Sequence, residues 1–294
     1  MSAVDGMLLG AVLLWALNIT VTKYVLEHGW LPLAYGTIRY FAAISIFWIY
    51  TWWRERSFRI ARADWIYVGI AAAMIFVNQL CFVYSLEFAR ASTVSLLFGT
   101  TPMFVGLISI AFLHARLQRS FWIGAGLTLA GVGLIAAGAG GGLVSGWKGD
   151  LLAISLAVTW ASYTTAIAPL MRRYSPYRLS AIFLLAVTVA LFAAGSHQLA
   201  HQSFDFPALV WIGFAFAVLG PLVTTNLLWF TAIDRVGPSR ASLFANLQPF
   251  LAAIVALLLL HEKITMVQVA GGLAIAAGIV LSPRQGTAPE PPAE

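Results

Sequence analysis

Amides, hydroxyls and aromatic rings deep inside long apolar runs are the side chains of this sequence best suited to binding a solute. A buried amide or hydroxyl costs free energy unless it is hydrogen-bonded, so these groups line either helix contacts or a water-filled cavity. Both interpretations stay open for any one residue, but their concentration in six runs favours a shared cavity. The predicted cavity residues are Trp15, Asn18, Asn78, Gln79, Tyr84, Ser95, Gly99, Thr100, Trp160, Tyr163, Thr164, Asn226, Trp229, Ser242 and Asn246.

Trp15 and Trp160 lie about 10 residues into their apolar runs, roughly 15 Å below the surface if the runs are membrane helices. Tryptophan at a membrane usually occupies the interface, and this depth is too great for that role. The two rings either line a cavity for an apolar or aromatic solute or pack in a core, and the sequence leaves both open.

Arg39 is the charged residue that lies within an apolar run, about 7 residues in and roughly 10 Å deep. An intramembrane arginine is a functional candidate, and a solute carboxylate is its expected partner. The alternatives are snorkelling to the surface or pairing with Glu27 or Glu87. All eleven acids and all five histidines fall at run ends, in loops or in the tail. Because proton relays use intramembrane acids or histidines, the sequence predicts uncoupled facilitated diffusion over proton antiport.

The sequence contains no catalytic or metal-binding motif in a suitable structural context. The sequence has no HExxH, GxSxG, Walker A or GxGxxG motif that could carry catalysis. His197 and His201 have helical metal-ligand spacing, but no cysteine or acid completes a set. We therefore expect no enzyme activity, no metal and no cofactor. An integral-membrane lipid enzyme and a channel are the more distant alternatives.

Composition identifies the class of protein that must position these residues. Of the 294 residues, 61% are hydrophobic and 10% are charged, whereas soluble domains carry about 25% charged residues. A membrane-spanning helix needs about 20 mostly apolar residues. The pattern predicts an all-α integral membrane protein with ten spans, at about 5–25, 32–53, 65–86, 91–113, 120–138, 150–171, 178–195, 208–232, 239–260 and 266–282.

An internal repeat organises these runs. Identical residues meet at a shift of 147 positions, among them Ser92 with Ser239 and Pro102 with Pro249, and Asp5 meets Asp150 at a shift of 145. Each copy holds five spans, an odd number, so the second copy enters the membrane from the opposite side. Such inverted repeats are typical of secondary transporters with a central site between the halves. The predicted divisions are 1–137 for the first repeat, 138–148 for a Gly-rich linker, 149–283 for the second repeat and 284–294 for a disordered tail.

Basic residues give the orientation. Twelve Lys and Arg fall on the side that holds both termini and four on the other side, which places both termini in the cytoplasm. The net charge of +6 is therefore a topology signal, and we expect no nucleic-acid partner. The lipid bilayer and a small solute are the expected partners.

Matched prolines and small residues suggest where the helices bend. Gly99, Pro102, Gly106 and Pro249 are predicted hinge or gating residues, because proline removes a helical hydrogen bond; a fixed kink without motion is the alternative. Glycines in the fifth and tenth runs serve either internal packing or a dimer contact. A monomer suffices for the predicted fold, and the oligomeric state stays open.

The block Ala89-(x)-Ala91-Ser92-(x2)-Ser95-Leu96-Leu97-(x4)-Pro102, with its echo at Pro238-Ser239-(x2)-Ser242-Leu243-(x5)-Pro249, resembles the EamA-type carriers of the drug/metabolite transporter superfamily. So do the two five-helix repeats, each with a Trp-Ala in its first helix. Family members often carry a glutamate just after the fourth helix of each repeat. Glu262 matches that position, while the first half has His114-Ala115-Arg116 instead.

Within that family the sequence is similar to the YddG-type exporters of aromatic amino acids. The resemblance implies a ten-helix basket around a central cavity, alternating access, and export from the cytoplasm across a bacterial inner membrane. It implies amino acids as solutes, aromatic and other large neutral ones. The alternative is an exporter of the same superfamily for other metabolites or hydrophobic drugs, with proton coupling open.

Overall fold

Helices form all the regular structure of the computed structural model, which describes residues 3–88, 91–138, 147–260 and 264–282. A π-helical segment, Val218–Thr224, joins α9 to α10, and a short 3₁₀ turn, Arg62–Asp64, precedes α3. Most of the predicted linker, 139–146, and the whole predicted tail lie outside the described residues. The helices are α1 Ala3–Glu27, α2 Pro32–Glu55, α3 Trp65–Phe88, α4 Ala91–Phe98, α5 Thr101–Leu113, α6 Arg119–Gly138, α7 Trp147–Met171, α8 Pro176–Ala200, α9 Ala208–Ala217, α10 Thr225–Ala245, α11 Gln248–Leu260 and α12 Met266–Leu281.

Eight helical stretches in the described part of the chain are long and apolar enough to cross a bilayer, which confirms the predicted all-α membrane protein. The sequence predicts ten spans. The eighth predicted run and the start of the ninth form one helical stretch, Ala208–Ala245, and α12 is a shorter apolar helix. The predicted run 178–195 is too short, because α8 extends over Pro176–Ala200.

Two matched breaks interrupt the helices. The predicted run 91–113 divides into α4 and α5 at Gly99-Thr100, and α10 ends before Asn246-Leu247, where α11 follows. The breaks are 147 positions apart, the same shift as the sequence repeat. A further bend lies inside α10 at Gly237, whose φ of 76° favours glycine, and Pro238 then restarts the helix.

Pro102 and Pro249 occupy the second position of α5 and α11 respectively. The expected kinks inside continuous helices are therefore breaks between two helices, because proline fits a first turn, where its missing N–H has no helical partner. The carbonyl of Phe98 four residues before Pro102 accepts a hydrogen bond from the Thr101 hydroxyl instead. Side-chain bonding thus completes the break at membrane depth.

Glycines on α6 and α12 bring these two helices together. A Cβ at Gly124 would lie 2.6 Å from the carbonyl oxygen of Gly278, and one at Gly131 would lie 2.5 Å from that of Gly271. Backbones can approach this closely only where a side chain is missing. These glycines therefore serve internal packing, one of the two roles that the sequence leaves open. α3 with α7, α2 with α8 and α1 with α10 are the other extensive helix pairs.

Candidate functional site

Three tryptophans from three helices meet in the interior. The ring of Trp15 on α1 lies 5.3 Å from that of Trp160 on α7 and 4.9 Å from that of Trp229 on α10, centroid to centroid. Trp160 and Trp229 are 6.1 Å apart, and Trp229 is 1% exposed. These three rings are called the tryptophan cluster below. The structure thus brings together all three tryptophans predicted to line a cavity.

Other aromatic rings extend the tryptophan cluster. Tyr163 lies 5.5 Å from Trp160, and Phe98, the last residue of α4, lies 6.5 Å from the same ring. Phe183 and Phe230 continue the contact beyond Tyr163. Aromatic surface therefore runs from α7 and α10 to the break between α4 and α5.

Several hydrogen-bond donors on α7 and α10 are buried without a partner. In the described part of the chain no hydrogen bond reaches the indole nitrogens of Trp160 and Trp229, nor the hydroxyls of Thr164, Thr165 and Thr225. An indole N–H can only donate, and an unsatisfied buried donor costs about 1–3 kcal/mol. Thr165 and Thr225 are among the hydroxyls deep inside apolar runs but not among the predicted cavity residues. Their signal in the sequence is their position, four or five residues from a cavity tryptophan on the same helix.

Asn78 holds two helices together. Its amide nitrogen donates to the carbonyl oxygen of Leu156 at 2.9 Å and to the hydroxyl of Thr159 at 3.2 Å, joining α3 to α7. Gln79 lies beside it, with its amide nitrogen 3.5 Å from the Asn78 side-chain oxygen. Asn226 is half-buried on α10, three residues before Trp229. Of these three predicted cavity residues, Asn78 uses its amide nitrogen for hydrogen bonds between helices.

Asn246 connects the two helix breaks. Its side-chain nitrogen donates to the carbonyl oxygen of Gly99 and to the hydroxyl of Thr128 on α6, both at 3.0 Å. Gly99 and Asn246 are counterparts at the repeat shift of 147. The two places where the sequence repeat interrupts its helices therefore touch each other.

The remaining predicted site residues are distributed differently. The hydroxyls of Thr100 and Ser242 donate to backbone carbonyls three residues earlier, and Asn18 accepts a hydrogen bond from Thr22 at 3.2 Å. Tyr84 is 44% exposed and does not join the tryptophan cluster. The side chain of Ser95 lies outside the described part of the structure.

Gly106 is closely packed. A Cβ there would lie 2.7 Å from the ring of Phe121 on α6. The glycine therefore serves contact between α5 and α6 in this structure. Of the other predicted hinge residues, Gly99 and Pro102 lie at the break between α4 and α5, and Pro249 lies just after the break between α10 and α11.

Arg39 on α2 contacts two aromatic rings. Its guanidinium carbon lies 5.1 Å from the ring centre of Tyr35 and 5.7 Å from that of Tyr40. The side chain is half-buried, and within the described residues its Nε has no hydrogen-bond partner and no carboxylate pairs with it. α2 also packs against the π-helical segment that leads into α10.

Asp5 and Arg240 form a buried ion pair that the sequence analysis does not anticipate. Their side chains are 3.3 Å apart, and each is 10% exposed. Arg240 also donates to the carbonyl of Ser282 just after α12. The pair thus ties the start of α1 to α10 and to the end of α12. Its only sequence signal is the matched Asp5 and Asp150 at the two repeat starts.

Both ends of the α2–α8 pair are tied. At one end Glu55 pairs with Arg178 at 2.8 Å. At the other end the side-chain oxygens of Gln198 and Gln202 accept from the backbone N–H groups of Leu33 and Leu31, at 2.8 and 2.7 Å. The two helices are therefore tied to each other at both ends in this structure.

Asp64 forms a second polar contact near the Glu55 end. Its carboxylate accepts from Arg173 at 2.8 Å and from the hydroxyl of Tyr174 at 2.7 Å. Arginines counted only as topology signals in the sequence therefore also fix the connection before α3 to the end of α7.

A stack of aromatic rings lies at the end of the molecule opposite Glu55. Trp30, in the turn between α1 and α2, lies between Phe206 and Phe214, with centroids at 5.0 and 5.2 Å and nearly parallel planes. Trp30 is 2% exposed, and Tyr35 and Trp211 meet its ring edge-on. Aromatic rings thus pack together at one end of the bundle, and charged groups tie the other.

Comparison with known proteins gives a consistent match. The sequence profile of the EamA-like transporter family matches the chain twice, over residues 3–137 and 147–283. A solved crystal structure superposes with a TM-score of 0.81 at 18% identity, covering 96% of this chain and 98% of that one, which shows a shared fold.

Individual relatives are distant. YetK of Bacillus subtilis (strain 168), described as an uncharacterized transporter, is 24% identical over 219 residues, which are 71% of this chain and 64% of YetK. YvbV of the same strain, described in the same way, is 25% identical over 92% of this chain and 88% of its own length. A probable terminal-alkyne amino-acid exporter of Streptantibioticus cattleyicolor is 28% identical over 66% of this chain and 65% of its own. The chain thus spans less than two thirds of YetK and of the exporter.

Proposed function

The chain belongs to the EamA-like transporter family of the drug/metabolite transporter superfamily, and from that premise we propose that it exports amino acids, chiefly aromatic and other large neutral ones. It is a multi-span membrane transporter and not an enzyme. The tryptophan cluster is the observation that carries the proposal. Three indole rings from α1, α7 and α10 offer an apolar, stacking surface with unpaired N–H donors beside it.

The chemistry of this surface suits a large apolar side chain. Aromatic contacts contribute about 0.5–1.5 kcal/mol each beyond the burial of area, so two or three rings discriminate well against small solutes. The half-buried Arg39 is a candidate partner for the solute carboxylate, because no carboxylate among the described residues forms an ion pair with it. The distant relative described as an amino-acid exporter supports the same solute class.

We infer that ten spans form two inverted repeats that alternate access to a central cavity. One shift of 147 positions relates the breaks at Gly99 and Asn246, and the same shift relates Gly124 to Gly271 on the closely packed α6–α12 pair. In this mechanism the breaks at Gly99-Pro102 and before Pro249 are bending points, one in each half. Bending one half opens the cavity to one side while the other half closes it.

Transport in this proposal is uncoupled facilitated diffusion. The described carboxylates lie at or near helix ends, apart from Asp234, which is exposed on α10 three residues before the bend at Gly237. The buried Asp5 is held by Arg240. The proposed location is a bacterial inner membrane with both termini in the cytoplasm, where a monomer is sufficient. Proton antiport would require an acid or a histidine that releases and binds a proton within the pathway.

The test is uptake of labelled tryptophan, phenylalanine and threonine into liposomes that hold the purified protein, with and without a pH gradient. Saturable flux that ignores the gradient is expected, with tryptophan and phenylalanine preferred over threonine. Trp160→Phe should raise KM by several-fold through loss of one indole contact. Trp53→Phe is the matched control, because Trp53 on α2 is 69% exposed.

Each contrary result removes a stated part of the proposal. Accumulation driven by the gradient would overturn the uncoupled mechanism. Absence of amino-acid flux together with saturable flux of a hydrophobic drug would replace the solute class and leave the family membership standing. Equal effects of the Trp160 and Trp53 substitutions would remove the tryptophan cluster from the solute pathway.

A further inference from the structure

Five of the nine buried threonines in the described structure donate their hydroxyls to backbone carbonyls three or four residues earlier, and the other four, Thr51, Thr164, Thr165 and Thr225, have no partner. The hydroxyls of Thr37, Thr159 and Thr188 donate to carbonyls four residues earlier at 2.6–2.7 Å, and Thr128 donates to one three residues earlier at 3.0 Å. Thr225 is 0% exposed, yet its hydroxyl has no partner in the described structure. This hydroxyl is therefore a donor held in the interior without the usual helical bond.

Local backbone geometry distinguishes Thr225 from the other unpaired threonines. It is the first residue after the π-helical segment Val218–Thr224, and its N–H bonds to the carbonyl of Gly220 five residues earlier. Pro221 lies within that segment and supplies no N–H. Single-turn π-helical segments occur frequently at functional sites, because the extra residue rotates the side chains that follow.

Thr225 stands one helical turn before Trp229, about 6 Å along α10. Thr164 stands one turn after Trp160 on α7, and its hydroxyl is also buried and unpaired. The two tryptophan rings are 6.1 Å apart. Each of the two helices that meet at the tryptophan cluster thus carries one threonine hydroxyl and one indole N–H. None of these four groups has a hydrogen-bond partner in the described structure.

We propose that Thr225 and Trp229, together with Trp160 and Thr164, form a subsite for the hydrogen-bond-accepting group of the solute, a carboxylate or carbonyl oxygen. This inference rests on the proposed transport of solutes with a large apolar body, and it places the acceptor group of the solute at these four donors instead of at Arg39, the other candidate. Indole N–H groups donate only, so the group they receive must be an acceptor. Uncharged donors hold such a group without the desolvation cost of a buried cation.

The experiment compares ligands that share one apolar body and differ in the acceptor. Purified full-length protein in lipid nanodiscs is titrated with tryptophan, tryptophanamide and tryptamine, and apparent affinity is read from the rise in melting temperature. The first two carry a carboxylate or carbonyl oxygen, and tryptamine carries neither. The wild-type protein is expected to favour tryptophan over tryptamine by about tenfold or more, the value of one hydrogen bond to a charged acceptor.

Thr225→Val removes the hydroxyl at nearly constant volume and is expected to reduce that preference about tenfold, while Thr225→Ser retains it. Thr188→Val is the matched control, since Thr188 is also buried and its hydroxyl already donates to the Leu184 carbonyl at 2.6 Å. It should leave the preference unchanged. The melting temperature of each unliganded variant shows that the protein is folded.

Three outcomes would overturn the subsite: equal stabilisation of wild-type protein by tryptamine and tryptophan, no stabilisation by any of the three ligands, or an unchanged preference in Thr225→Val. Failure of amino-acid export is separately visible. If liposomes carry no amino acid while the acceptor-bearing ligands still stabilise the protein through Thr225, the proposed export fails and the subsite stands.

Discussion

Replacing Gly131 with alanine tests the contact between α6 and α12. A Cβ at this position would lie 2.5 Å from the carbonyl oxygen of Gly271 and 2.6 Å from Cγ1 of Ile275, whereas ordinary contacts begin at 3.4 Å. The two helices would have to separate by about 0.9 Å to accept one methyl group. The nearest atom is the backbone carbonyl oxygen of Gly271, so a shift of the Ile275 side chain alone would not relieve the overlap.

Gly126 on the same helix provides the reference. A Cβ there meets nothing within 4 Å. Either substitution gains about 1 kcal/mol of helix propensity, because alanine replaces glycine inside a helix. That gain cancels when the two variants are compared, and the difference isolates the cost of forcing the helices apart. Overpacking of this kind costs about 1–3 kcal/mol.

Melting of the purified variants in lipid nanodiscs measures this difference. Gly126→Ala should melt at or above the wild-type temperature, and Gly131→Ala clearly below it. Gly271→Ala should match Gly131→Ala, because its Cβ would lie 2.6 Å from the Gly131 carbonyl oxygen. Equal stability of the Gly131 and Gly126 variants would refute the close backbone contact between α6 and α12.

Further perturbations address polar contacts in the interior. Asn246→Ala should destabilise the fold by about 1–3 kcal/mol through loss of two hydrogen bonds, measured by melting, and a neutral result would remove the bridge between the breaks. Ser242→Ala, which loses one bond within its own helix, should cost less. Asp5→Asn should destabilise by up to about 3–5 kcal/mol by leaving a buried arginine unpaired, and adding Arg240→Gln should recover part of that loss. Strict additivity of the Asp5 and Arg240 substitutions would contradict the pair.

The structural features that could be predicted lie at residues matched by the internal repeat. The matched prolines indicated where both halves interrupt their helices, because a missing N–H acts locally. The matched Trp15 and Trp160 contact each other, and their role in lining a cavity stays a prediction. The structure places the interruptions three residues before each proline, at Gly99 and Asn246.

Contacts between distant segments could not be predicted in the same way. The partners of Asn246, Asp5 and Asn78 lie from 78 to 235 positions away, and nothing in the local pattern selects them. Tyr84 shows a related difficulty, which is to predict which face of a helix points to the interior. α3 is apolar around its whole circumference, so its sequence does not show which side faces the interior.

The extensive helix pairs have a consequence for how the protein is made. α1, α2, α3 and α6 belong to the first segment matched by the family profile, and each packs extensively on a helix of the second segment. A ribosome that has delivered only the first segment leaves the glycine face of α6 and the amide of Asn78 in contact with lipid. Assembly therefore waits for the end of translation, and two separately expressed segments should be unstable alone and recover a native fold only when co-expressed.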